Sequence, residues 1–309
     1  MERESEVRRL LERELYPAGE SEVTARFLDL ASGLRVRVVE AGRGNERKLL
    51  FVPGWGCTAW IFHDNLAPLA SAGFHAVVVE LKGHGLSDKP RDAREYTVSA
   101  MRDHLLQIID SLGFDRVGIV GHSMGAAIAA QAVVIAPERV TGLVLAAPVG
   151  FAGVKGMSLF RALTPRFAIP ILPRLATRGL IRMMLRVVYG SIRDASERDV
   201  EEFHAPVAFP DFTRAMRHLL HEFEWSASFP ELQVPWMTIV GSKDVLSLAS
   251  DVGRYSGADG SGRAVIVEGA GHVLFDESPE IVNAEVARFF GGARAPYILS
   301  QNEKNSETP

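Results

Sequence analysis

The sequence predicts an α/β fold: a mostly parallel sheet covered by helices on both faces, with a helical segment inserted in its second half. Three observations carry this. Short runs rich in Val, Ile and Leu alternate with longer stretches of helical periodicity. One such run passes through a glycine-flanked serine directly into an Ala-rich helix. From about residue 150 to 230 the alternation stops, in a stretch with several prolines, few strand-like runs and a helical pattern over residues 175–189. The expected organisation is a core from residues 1–149 and 231–309, eight strands in one sheet, with residues 150–230 inserted as a helical cap.

The elements follow in order. MERESEVRRLLEREL mixes acids and bases, lacks the apolar stretch of a secretory signal, and repeats Val7, Leu10, Leu11 and Leu15 at helical spacing. It reads as a helix packed on its own domain. Residues 23–30 and 34–40, joined by Ala-Ser-Gly, read as a hairpin, and strands follow at 48–52, 76–80, 117–120, 143–146, 236–240 and 264–267. Helical periodicity marks 98–112, 126–136 and 279–290, the last opening on Pro279 after Ser278. The polar tail SQNEKNSETP shows no periodicity and is expected to be disordered.

A chain of 309 residues can bury an ample core, and its net charge of −4 argues against a nucleic-acid partner. The single cysteine, Cys57, excludes an internal disulfide and a Cys-based zinc cluster and suits a reducing compartment, so the cytoplasm is expected. No apolar run approaches the roughly 18 residues of a transmembrane helix.

The chemistry starts at Gly121-His122-Ser123-Met124-Gly125. A serine on a sharp strand-to-helix turn is lifted above the sheet edge and sits at a helix N-terminus, where the helix dipole favours developing negative charge. Serine needs a base and a group to orient that base. His272 lies on the glycine-rich loop after the strand at 264–267, and Asp244 leaves the end of the strand at 236–240. Glu268, Asp276 and Glu277 are rivals for the acid. They lie too near His272 to reach it without folding back, and Asp276 is better placed to cap the helix near Ser278. The triad expected is therefore Ser123, His272 and Asp244.

With these residues the sequence resembles the α/β-hydrolase superfamily, from about Val23 to Phe290. Leu49-Leu-Phe-Val-Pro-Gly-Trp-Gly resembles its oxyanion loop, and Glu80-Leu-Lys-Gly-His-Gly-Leu-Ser its Asp-x-x-Gly-x-Gly-x-Ser turn. The resemblance implies an oxyanion hole from the backbone N–H groups of Trp55 and Met124. Pro53 stands where histidine is usual, and Glu80 where aspartate is usual. Serine at the elbow argues against epoxide hydrolases and haloalkane dehalogenases, which use aspartate there.

The function expected is a serine hydrolase of carboxylic esters (EC 3.1.1) that forms an acyl-enzyme and needs no metal or organic cofactor. A thioesterase, a lactonase, a carbon-carbon bond hydrolase and a non-catalytic ligand receptor on the same fold are the alternatives. Trp60, Phe151 and Phe160 are candidates to line a pocket for a hydrophobic acyl or aryl ester. Cys57, His84 and His122 read as packing residues, and His218, His221 and Glu222 match no zincin pattern. In the cap, eight basic residues from Lys155 to Arg193 occur with no acid among them, interleaved with apolar side chains. A weak membrane-surface contact is expected there only as a secondary property.

Overall fold

A computed structural model describes residues 2–151, 157–209, 211–224, 229–250 and 262–291. The predicted tail, Lys155 and parts of the cap's two ends lie outside these residues. Eight strands form one sheet: β1 (Thr24–Asp29), β2 (Arg35–Ala41), β3 (Arg47–Val52), β4 (Phe74–Val79), β5 (Val117–His122), β6 (Val140–Ala146), β7 (Trp236–Gly241) and β8 (Gly262–Val267), in the order β1-β2-β4-β3-β5-β6-β7-β8. β2 pairs antiparallel with β1 and β4, and every later pairing is parallel. The runs in β4, β5 and β7 are buried throughout, which is why they read as continuous apolar stretches.

The helices are α1 (Glu2–Glu14), α2 (Leu66–Ser71), α3 (Val98–Ser111), α4 (Met124–Ile135), α5 (Met157–Leu163), α6 (Leu172–Leu175), α7 (Arg178–Val188), α8 (Glu197–His204), α9 (Phe212–Glu222), α10 (Leu274–Glu277) and α11 (Pro279–Gly291). Two apolar clusters result. One joins α3 and α4 to sheet residues such as Leu50, Val77 and Ile119, and the other joins α2 and α11 to Phe51, Val78 and Ile239. α4 is apolar but for Gln131 and is buried along most of its length between the sheet and its neighbours. Leu11 and Leu15 are buried in the first cluster, so the charged N-terminal helix packs on its own domain.

Between β6 and β7 the chain forms α5 to α9. The single helix predicted over 175–189 is split. Leu172–Leu175 makes one turn that ends at Ala176, and α7 starts afresh where the Thr177 hydroxyl accepts the Leu180 N–H. Asp276 does not cap α11: it is buried in α10 and faces the cap.

Candidate active site

The turn between β5 and α4 brings Ser123 to φ 55° and ψ −121°, a conformation that costs a non-glycine residue of order 1–3 kcal/mol. Its surroundings hold it there. The Ser123 N–H donates to the Ala146 carbonyl at 2.9 Å, while the Ser123 carbonyl accepts from Ala126 at 3.0 Å and Val149 at 3.2 Å. The glycines are required by contact. A Cβ on Gly125 would lie 2.2 Å from the Val52 carbonyl oxygen, and one on Gly121 would lie 2.6 Å from Ala126 Cα. From the other side, a Cβ on Gly54 would meet Ser123 Cβ at 2.7 Å and Oγ at 3.2 Å. The loop after β3 is thus pressed against the serine hydroxyl, and only glycine fits between them.

His272 completes the arrangement. Its Nε2 lies 2.8 Å from Ser123 Oγ and its Nδ1 lies 2.8 Å from Asp244 Oδ2. A carboxylate only accepts, so Nδ1 carries the proton and Nε2 is left to accept from the serine hydroxyl. The other Asp244 oxygen accepts the N–H groups of Leu246 at 2.7 Å and Ser247 at 2.9 Å. Burial alone would raise Asp244; the His272 charge and hydrogen bond and these two N–H groups outweigh it and hold the carboxyl below its ordinary value. The carboxyl is therefore ionised at neutral pH and holds the Nδ1 side of the His272 ring.

His122, read as packing, has a further contact. Its Nε2 donates to the His272 carbonyl at 2.9 Å, and burial, reinforced by the His272 charge, pushes its pKa down to about 3. It braces the base loop as a neutral ring. Glu80 braces the opposite loop. Its carboxylate accepts from Ala59 N–H at 3.2 Å and Leu86 N–H at 2.7 Å, and pairs with Arg37 at 3.0 Å. Trp55 turns its indole N–H to the Met216 carbonyl of α9 at 3.0 Å. Met124 opens α4, so its N–H has no partner within the helix. Burial pushes the Cys57 thiol up to about 12, which keeps it protonated and a packing group.

Two of the three rival acids serve the seam between cap and base loop. Glu277 accepts from Gly271 N–H at 2.9 Å and from Gly190 N–H at 2.7 Å, one on each side of the seam. Asp276 accepts from the Tyr189 hydroxyl and Arg193, and Arg193 also reaches Asp199 at 2.9 Å. Burial raises both carboxyls despite these partners. The His272 N–H donates to the Val188 carbonyl at 2.7 Å, which ties the base to the end of α7. Glu268 only accepts from Ser242 at the surface. Sequence reasoning missed this seam, although two carboxylates directly after the histidine loop were its signal.

Two of the three expected pocket residues are turned elsewhere. Trp60 donates its indole N–H to Asp199 at 2.8 Å and stacks on His63, so its polar edge serves the cap junction rather than the serine. Phe160 is 54% exposed on α5, because its neighbour Arg161 takes the inward position and donates to the Leu220 and Phe223 carbonyls. Phe151 is buried two residues past Val149, its ring edge-on to Phe229. Donor atoms of His63, Asp64 and Asp276 gather within 4.8 Å of one another, but the Arg193 guanidinium on Asp276 opposes a cation there. His218 stacks on Tyr96 while His221 bonds Thr164, so those histidines do not converge.

The profile of the alpha/beta hydrolase family matches residues 49–285, which include all three residues of the hydrogen-bonded chain. The chain belongs to the alpha/beta hydrolase family. Among curated relatives it is 41% identical over 138 residues to the dihydrolipoyllysine-residue acetyltransferase component of an acetoin cleaving system from Cupriavidus necator, covering 43% of this chain and 35% of that protein. It is 32% identical over 182 residues to the 2-hydroxy-6-oxononadienedioate/2-hydroxy-6-oxononatrienedioate hydrolase of Klebsiella pneumoniae, 56% of this chain and 61% of that one. The chain thus spans about a third of the first relative and under two thirds of the second. Among solved structures, the epoxide hydrolase CorEH superposes with a TM-score of 0.75 at 20% identity, covering 87% of this chain and 99% of that one. The fold is that of the alpha/beta hydrolases. No helix among the described residues is long and apolar enough to cross a membrane.

Proposed function

We propose that this hydrolase cleaves carboxylic esters with hydrophobic acyl or aryl groups through an acyl-enzyme on Ser123. The observation that carries the reading is the Ser123–His272–Asp244 chain, with both hydrogen bonds at 2.8 Å. Ser123 Oγ attacks the ester carbonyl carbon as its proton passes to His272 Nε2, and Asp244 stabilises the imidazolium. The oxyanion forms beside Gly54, within the reach of the Trp55 and Met124 N–H groups. Collapse breaks the bond to the leaving oxygen, which takes the proton from His272. Water, deprotonated by the same Nε2, then attacks the acyl-enzyme and frees the acid and Ser123.

Serine at this position separates the chain from the aspartate chemistry of epoxide opening, for all its structural similarity to CorEH. Hydrophobic substrates are favoured because apolar groups from the cap come close to the site: Met216 of α9 lies beside Gly56, and Leu185 and Val188 pack near the base loop. A second reading is cleavage of a carbon-carbon bond in a vinylogous diketone by the same serine. It is favoured by the similarity to the Klebsiella hydrolase, whose name describes such a dienedioate substrate.

The test is turnover of p-nitrophenyl esters of increasing acyl length, run beside a vinylogous 1,5-diketone. The ester reading expects turnover that rises with chain length and falls about a thousandfold or more in Ser123→Ala. Turnover confined to the diketone would favour the second reading, and failure of a fluorophosphonate to label Ser123 in folded protein would defeat both.

A further inference from the structure

The cap has an apolar outer face as well as an apolar inner one. On α7, Ile181, Leu185 and Val188 recur at helical spacing and pack into the second core cluster. Leu180, Met183 and Val187 recur at the same spacing on another side of the helix and are exposed, Met183 and Val187 by more than half. Between the two stripes run Arg178, Arg182 and Arg186, four residues apart. A helix that needed only to cover its own core would not carry the second stripe.

The segments before α7 repeat the pattern. Leu159 and Leu163 point outward from α5, Phe167 of the next turn is 84% exposed, and Ile171 and Leu175 lie outward around α6. A soluble surface carries single exposed apolar residues as a matter of course; a succession of large ones across one element of the fold marks a contact site.

Charge indicates what the contact is. From residue 157 to 193 the sequence has seven arginines and no acid. Arg178, Arg182 and Arg193 are paired with Glu201, Glu197 and the Asp199–Asp276 pair. Arg161 is bonded to backbone carbonyls. Arg166, Arg174 and Arg186 are exposed and form no ion pair among the described residues, and each stands beside an outward apolar residue: Phe167, Leu175 and Val187. Large apolar side chains set among unneutralised arginines are complementary to a surface with an apolar interior and a layer of anionic headgroups.

We propose that the outer face of the cap, from α5 to α7, docks on anionic lipid bilayers, with Phe167, Met183 and Val187 entering the headgroup boundary and Arg166, Arg174 and Arg186 contacting lipid phosphates. The surface goes beyond the hydrolytic reading and does not depend on it. It would hold the cap, and the site beneath it, where lipophilic esters partition.

The full chain is sedimented with vesicles of phosphatidylcholine alone and of phosphatidylcholine with phosphatidylglycerol, at low and high salt. Binding is expected only to the anionic vesicles, weakening several-fold at high salt. Replacing the three arginines together by Gln should weaken it roughly a hundredfold, at about fivefold per cation. Phe167→Ser, Met183→Ser and Val187→Ser together should abolish it. Both variants should keep the native circular dichroism and the parent's thermal unfolding midpoint within a few degrees, which separates failed docking from failed folding. No binding to anionic vesicles overturns the proposal, as does binding that either folded variant retains. So does a dimer, seen by sedimentation velocity without lipid, that the same substitutions dissociate, since a second copy would then cover this face.

Discussion

The serine turn and the cap junction are assembled by different means. Around Ser123 the contacts are close steric ones: Gly125 on the Val52 carbonyl and Gly121 on the α4 backbone, with Gly54 against the serine side chain. The two backbone contacts have no rotamers and no protons to lose, so the turn that carries Ser123 is held without ionisable groups. At the cap junction the contacts are ionisable. Asp199, Asp276, Glu277 and Glu202 are all buried there, paired with Arg193, Arg198, Tyr189 and backbone N–H groups. The comparison teaches that the serine turn is fixed by main-chain packing, while the cap is attached by ionisable groups that respond to their surroundings.

The sharpest way to break the comparison is to remove one carboxylate from each region. Asp244→Asn takes away the acceptor that fixes the His272 tautomer, and ester turnover should fall by about a thousandfold or more. Asp276→Asn, a change of the same kind in a rival position, should leave kcat within about tenfold and show its effect as lower thermal stability. Equal losses of turnover from the two would mean that junction and triad act as one unit.

The next largest effect belongs to the glycine contact. Gly54→Ala forces a methyl group to within about 3 Å of Ser123, and kcat should fall by about tenfold to a hundredfold while KM changes little. A larger effect on KM would mean that the loop binds substrate rather than positioning the oxyanion.

The smallest effect is on stability against pH. Burial pushes the Glu202 carboxyl up from 4.5 to about 7, with the Tyr16 N–H and Arg198 offsetting part of this and Glu80 adding to it. Between those values the folded state holds a proton that the unfolded state has lost, so this group's contribution to stability is complete below about 4.5 and declines as pH rises to 7. Glu202→Gln should therefore reduce the fall in Tm between pH 5 and pH 8, by about 2 °C. An unchanged fall would mean that Glu202 does not hold this proton.

The serine turn and its two partners were legible in the sequence because each depends on a local pattern: a strand running into Gly-x-Ser-x-Gly, a strand ending at Asp244, a glycine loop ending at His272. The seam was not. Gly190 and Glu277 are far apart in the chain, and no periodicity in the cap says which of its turns meets the base loop. The same gap misplaced Trp60, whose partner Asp199 lies across the cap junction, and gave Asp276 a capping role. The exposure of Phe160 was not legible because periodicity marks a helix but not which of two apolar sides faces inward, and α7, apolar on two sides, shows how little the pattern decides.

One feature of the seam limits how the molecule can breathe. A Cβ on Gly271 would lie 2.4 Å from Gly190 N, and one on Gly190 would lie 2.4 Å from both Gly271 N and the Gly269 carbonyl oxygen, while Val188 holds the His272 N–H. The two backbones touch with no side chain between them to act as a bearing. The end of α7 and the loop that carries His272 are therefore positioned against each other by main-chain atoms alone, and any side chain added at Gly190 or Gly271 would push the two apart.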